Sequence, residues 1–207
     1  MTRRTLGVLA ATVAAVTAAC GGGGDGDDDD PGDTAPAVDA RLDVDVERVD
    51  TAVHVAWTVT NNGDEPLLVF DNRRGDEAEG ELLQGAYVTG GDDGDRVEVS
   101  RRVFPVPDDL EGAQDYVVTA GELAPGASES YVDNVAVPPR YAPAASEGGG
   151  APLPDDAPSA VFCVGVAPVG AVAPAVPLAA APGRFSVPHS EDNAAAQTLL
   201  CSDPFDL

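Results

Sequence analysis

Thr51-Ala52-Val53-His54-Val55-Ala56-Trp57-Thr58-Val59-Thr60 decides the fold. Val53, Val55, Trp57 and Val59 take every second position, with His54, Ala56 and Thr58 between them. A half-buried antiparallel strand requires that period of two, because successive side chains point to opposite faces of the sheet. Trp57 is the only Trp of the chain and lies in the middle of the apolar face. A side chain that buries up to about 250 Å² in that position reads as a core anchor. Upstream, Arg41-Leu42-Asp43-Val44-Asp45-Val46-Glu47 alternates in the same way, with Leu42, Val44 and Val46 inward and the charges outward. Downstream, Asn61-Asn62-Gly63-Asp64-Glu65-Pro66 is a turn by its Asn-Gly and Pro content, and Leu67 to Phe70 is the returning strand.

Weaker signals repeat the theme. Ala86-Tyr87-Val88-Thr89 and Arg96-Val97-Glu98-Val99-Ser100 flank a Gly/Asp turn at Gly90 to Asp95, which predicts a hairpin. Val103 to Val106 extends or follows its second strand, and Tyr116 to Thr119 is a further short strand. Leu123-Ala124-Pro125-Gly126 reads as a turn in which Gly supplies the positive φ. Tyr131 to Val137 is a strand whose alternation slips near Asp133-Asn134, the mark of a bulge. Tyr141 to Pro158 is Gly-, Pro- and Ala-rich and reads as surface loop, whereas Val161 to Val166 is apolar enough for a buried strand. The prolines of Ala171 to Gly183 forbid helix and central strand alike, so that stretch is an extended excursion. Phe185 to Val187 and Thr198 to Cys201 are candidate short strands, and Glu191 to Gln197 a helical turn capped by Ser190 or Asp192. Val outnumbers Leu about two to one after Cys20, a bias that suits strands rather than helices. The expected class is all-β, an antiparallel β-sandwich over residues 39–207, with long Pro/Ala/Gly loops at 141–160 and 170–184.

The N-terminus reads as a processing signal. Arg3 and Arg4 form a positive head, Thr5 to Ala19 carries no charge, and Ala18 and Ala19 precede Cys20. That is the order of a secretory leader over 1–19, too short to span a bilayer, which takes about 20 apolar residues. Residues 20–38 hold Cys20 and a Gly/Asp stretch that cannot bury apolar surface and repels itself, so it reads as a disordered tether. Asp25, Asp27 and Asp29 have the first three spacings of a calcium loop, but Asp30 stands where Gly is needed and Pro36 where Glu is needed.

The chain has 207 residues, 11 basic against 36 acidic, for a net charge of −25. All the basic residues are Arg. Such a chain repels phosphates, so nucleic acid is excluded as the default partner. A cationic peptide, divalent cations or an envelope protein fit the charge better.

Two resemblances follow from these residues. Thr17-Ala18-Ala19-Cys20 resembles the lipobox of bacterial lipoproteins, with Thr17 in place of the usual aliphatic residue. That resemblance implies a diacylglyceryl group on the Cys20 sulfur and a site on the extracytoplasmic face of the cell membrane. Thr2-Arg3-Arg4-Thr5-Leu6 is also similar to a twin-arginine signal, which leaves the export route open. Val53 to Leu67, with Leu123-Ala124-Pro125-Gly126 before a later strand, resembles bacterial immunoglobulin-like envelope domains over about residues 40–137. The same run is similar to a family of small intracellular proteinase inhibitors, without a reactive-loop motif. These resemblances imply an immunoglobulin-like architecture and no particular activity.

With Cys20 acylated, Cys163 and Cys201 remain, an even number outside the cytoplasm, and pairing them closes a long loop. A metal site on the same two Cys needs further ligands, and His54, on a solvent face, and His189, in a loop, are the only histidines. Gly126-Ala127-Ser128-Glu129-Ser130 lacks the last Gly of a nucleophile elbow, and no phosphate-binding or dinucleotide fingerprint occurs, so no cofactor and no catalytic residue is assigned. Arg73-Arg74 and Arg101-Arg102 are basic islands, read as local partners of nearby Asp and Glu or, more sharply, as a carboxylate-recognition spot. The expected function is a lipid-anchored binding or structural module of the envelope. A secreted protease inhibitor and a wall or glycan hydrolase are the competing classes.

Overall fold

A computed structural model describes residues 38–72, 85–91, 94–107, 116–145, 149–155, 157–179 and 181–207. All lie in one unit, Asp33–Leu207. The expected leader, Cys20, the Gly/Asp stretch up to residue 37 and Arg73-Arg74 lie outside the described residues.

The chain is all-β, with one short helix among the described residues. In chain order the strands are β1 (Ala40–Val49), β2 (Ala52–Asn61), β3 (Leu67–Phe70), β4 (Tyr87–Gly90), β5 (Val97–Arg101), β6 (Val117–Leu123), β7 (Ser128–Ala136), β8 (Ser159–Pro168), β9 (Val176–Pro177) and β10 (Arg184–Pro188). Helix α1 (Glu191–Ala195), β11 (Thr198–Cys201) and β12 (Phe205–Asp206) complete the fold. The smaller sheet has the order β1-β2-β7. Among the described residues the larger has nine strands, in the order β4-β5-β8-β3-β6-β10-β9, with β11 and β12 also paired to β8.

β1 and β2 form a hairpin around Asp50 and Thr51, and Asp50 takes the positive φ of 50° that Asp tolerates better than a branched residue. Val53, Val55, Trp57 and Val59 on β2 are buried as the period of two predicted, and they meet Val97 and Val99 of β5 and Phe162, Val164 and Val166 of β8 in one core between the sheets. Trp57 stacks on Tyr131 at 4.4 Å between ring centroids and lies 5.2 Å from Phe162. Fully burying such side chains is worth roughly 1.5–3 kcal/mol each.

Leu67 to Phe70 forms a strand but does not return along β2. The chain crosses to the larger sheet, where β3 pairs with β6 and β8. All four residues of β3 are buried, so it has apolar neighbours on both faces and cannot sit beside the half-exposed β2. Asn61 fixes this crossing. Its Nδ2 donates to the carbonyls of Glu65 (2.8 Å) and Leu123 (3.1 Å), and its backbone carbonyl accepts from Gly126 (2.9 Å), tying together the two turns found in the sequence. Gly126 has the expected positive φ, 71°.

Three expectations are corrected. The sheets are not purely antiparallel, because β5 and β8 run parallel from Val97↔Ala160 to Arg101↔Val164. β7 carries no bulge: its register with β2 is unbroken from Ala52↔Ala136 to Thr60↔Ser128. The apparent slip is Asp133, a carboxylate standing at an inward position between Tyr131 and Val135. Val103 to Val106 is irregular rather than strand, although Val103, Phe104 and Val106 are buried.

The last third of the chain belongs to the same fold, since β8 is the strand to which β3, β5, β11 and β12 all pair. The 141–155 segment bridges back to β4 at Val88↔Ala142 and Gly90↔Ala151. Within the proline-rich excursion a two-residue strand, β9, pairs with β10. Ser190 caps α1 by accepting a hydrogen bond from the Asn193 N–H. No helix among the described residues is long and apolar enough to cross a membrane.

Candidate functional site

Among the described residues, chemistry-bearing side chains gather in three places: a charged network in the core, a ring cluster around His189, and the outer face of the smaller sheet.

The core network begins at Asp133 on β7. Its carboxylate accepts from Trp57 Nε1 (2.8 Å) and from Arg101 Nε (2.7 Å), and it pairs a second time with Arg101 Nη2. Arg101 also donates to the backbone carbonyl of Asp71. The Asp71 carboxylate, fully buried after β3, holds Arg184 through Nη1 (2.7 Å) and Nη2 (2.5 Å). Tyr131 donates to Glu129 nearby, and burial together with that bond pushes its phenol well above the ordinary range. Charges of both signs are thus removed from water in pairs, as buried charges must be. The network joins β7 of the smaller sheet to β5 and β10 of the larger one. These pairings make it a fastener between the sheets.

The sequence placed Arg101 and Arg102 beside nearby acids. For Arg102 that holds: just past the end of β5, it lies 2.9 Å from Glu98 of that strand and 4.3 Å above the Phe104 ring. Arg101 instead reaches residues far along the chain. The signal was present in the alternation, since Arg101 shares a face with Val97 and Val99, and Asp133 with Tyr131 and Val135.

His189 does lie in a loop, between β10 and α1, yet only 2% of it is exposed. The Phe104 N–H donates to its Nδ1 (2.9 Å), which leaves the proton of the neutral ring on Nε2, 3.0 Å from the Tyr87 hydroxyl oxygen. Tyr87 and Phe104 meet edge to face at 5.3 Å beside it. Burial drives the His189 pKa down from 6.5 to about 4, and pushes the Tyr87 phenol above its ordinary value. A neutral imidazole enclosed by rings is a structural acceptor and donor. His54 stands half-buried on the outer face of β2, between Glu47 and Asn134.

Cys163 and Cys201 are directly opposed on β8 and β11, and form a disulfide with their Cα atoms 4.2 Å apart. Among the described residues no group of three or more His, Cys, Asp or Glu side chains is placed to hold a metal ion.

A shallow, accessible hollow of about 530 Å³ lies on the outer face of the smaller sheet. Its floor is the backbone of Val44, Trp57 and Tyr131, whose side chains point into the core. The hollow forms because Ala56, between Asp45 and Val132, is too small to fill its row. Asp43 and Asp45 wall it on the β1 side, Thr58 and Ser130 share a hydroxyl hydrogen bond (2.8 Å) along one end, and Val132, 59% exposed, closes the β7 side. Thr60 and Ser128 repeat the hydroxyl pair one row away (2.8 Å). Carboxylates, hydroxyls and one apolar side chain on a rigid sheet suit recognition of a cationic group.

Comparison with protein-family models, curated proteins and solved structures found no match for this chain.

Proposed function

We propose that the chain is a lipid-anchored extracytoplasmic protein, held to the cell membrane through Cys20, whose immunoglobulin-like β-sandwich works by binding a cationic partner. The observation that carries the location is the disulfide between Cys163 and Cys201, across two paired strands. Such bonds persist outside the reducing cytoplasm. It leaves Cys20 as the one remaining cysteine, directly behind a leader-like stretch and ahead of an acidic tether. With no polybasic patch nearby, attraction to anionic headgroups is absent, and the acyl chains alone supply the anchoring. The acidic wall of the outer-face hollow supports the binding role.

The test is production of the full chain in a bacterium with intact secretion, followed by membrane fractionation and intact-mass spectrometry. The expected product sits in the membrane fraction, lacks residues 1–19, carries an acyl adduct and contains one disulfide. Cys20→Ala moves it to the soluble fraction with the disulfide intact. An untrimmed cytosolic chain with three alkylatable thiols overturns the proposal.

A further inference from the structure

We propose that the outer edge of β1 is a strand-addition site for an extended segment of a partner protein whose side chains alternate basic and apolar. This names the partner for the binding half of the preceding reading and does not depend on the anchor.

Three observations on one strand carry it. First, β1 is ten residues long and regular, and it pairs with β2 over its whole length, from Ala40↔Asn61 to Val49↔Ala52. Among the described residues its backbone hydrogen bonds go to β2 alone. Among the same residues its other edge therefore presents a row of N–H and C=O groups of the kind on which a further strand assembles. Second, Leu42, Val44 and Val46 face the core but remain half-buried, whereas Val53, Val55, Trp57 and Val59, one strand further in, are sealed. A fourth strand laid beside β1 covers that apolar strip with every second side chain. Third, the alternate side chains of the added strand emerge on the outer face next to Asp43, Asp45 and Glu47, all exposed. Opposite charges across neighbouring strands stabilise a sheet and like charges oppose it, so these positions select Lys or Arg.

The same charges exclude other occupants. A second copy of β1 in antiparallel register sets acid against acid at its centre, Asp43 against Asp45 or against Glu47, and Arg41 is already paired with Asp43. Each copy also brings a net charge of −25. The chain's own Asp25 to Asp33 segment is repelled for the same reason.

The test uses the purified full chain, disulfide intact, titrated with three peptides. One is a capped ten-residue alternation of Lys and Val. The second has the same composition in two blocks, and the third is the alternating peptide with N-methyl groups on four central residues, which removes donors from both edges. The alternating peptide is expected to bind one to one, and the other two about tenfold or more weakly. The double variant Asp45→Lys/Glu47→Lys changes two exposed side chains, and an unchanged thermal midpoint verifies its fold. It is expected to lose the basic peptide by about tenfold or more and to gain an alternating Glu/Val peptide. Equal binding of all three peptides, no saturable binding up to about 1 mM, or a sedimenting dimer that the double variant dissociates each overturns the proposal. Failure here leaves the anchoring experiment standing, and the reverse also holds.

Discussion

Acidification offers a direct test of the interior around His189. The ring is buried, accepts the Phe104 N–H at Nδ1, and has its pKa lowered from 6.5 to about 4 by burial. In the unfolded chain the imidazole takes its proton near pH 6.5, whereas the folded chain resists until about pH 4. The unfolded state therefore binds more protons across that window, and stability falls as pH falls through it. The stabilisation is fully present above pH 6.5. At 1.36 kcal/mol per pH unit between the two pKa values, about 2 kcal/mol is lost by pH 5 and about 3 kcal/mol by pH 4. A second effect runs the other way: acid lowers the self-repulsion of a chain with net charge −25. The comparison that isolates His189 is His189→Asn, whose Oδ1 can still accept the Phe104 N–H but does not titrate. Urea denaturation of both proteins at intervals from pH 7.5 to pH 4 gives two stability curves. The variant is less stable at neutral pH, having lost the contact with Tyr87. The gap between the curves should then close by about 2–3 kcal/mol on acidification. Parallel curves across the window refute the assignment of a buried neutral imidazole.

The core fastener predicts that Asp133→Ala, which strands the Arg101 guanidinium and the Trp57 N–H, lowers unfolding free energy by about 3–5 kcal/mol in urea titrations. Replacing Asp133 and Arg101 together by apolar residues costs much less than the sum of the two single changes, and a double-mutant cycle reads the coupling. A methyl group at Gly165 would come within 2.2 Å of Gln197 Oε1 and 2.9 Å of the Phe70 ring, so Gly165→Ala forces Gln197 off Val103, at about 1–3 kcal/mol by the same measurement. Paired Cys163→Ala and Cys201→Ala substitutions open a loop with a sequence separation of 38, and the chain-entropy model gives a loss of about 4 kcal/mol. The thermal midpoint should fall accordingly, and a midpoint unchanged by the pair contradicts the bridge.

The strands with clean alternation were legible because one face is apolar and the other polar. β2 and β1 follow the predicted pattern residue by residue. The turns at 61–66 and 123–126 announced themselves by residues with special backbone freedom, and the Cys163–Cys201 pairing followed from counting. Sheet membership was not legible. The backbone of β3 reads as a strand whether it returns beside β2 or crosses to the other layer, and only tertiary burial on both faces decides. Asp133 and Arg101 were misread because a charge at an inward position looks like a break in the pattern until its partner, brought from a different sheet, is known. His189 carried no local signal either, since the rings that enclose it come from positions around Tyr87 and Phe104. The outer-face hollow arises from the small size of Ala56 between two larger rows, a feature of three strands together.

The bridge between β8 and β11 encloses the whole proline-rich excursion, β9, β10 and the helix. Val176, 53% exposed, makes that excursion reachable from solvent. A peptidase that severs the backbone there releases no fragment. The two pieces stay joined through sulfur, and β11 stays seated on β8. Such a nicked molecule migrates as an intact chain until a reductant is added, so surface proteolysis of this region would be silent in any assay that omits one.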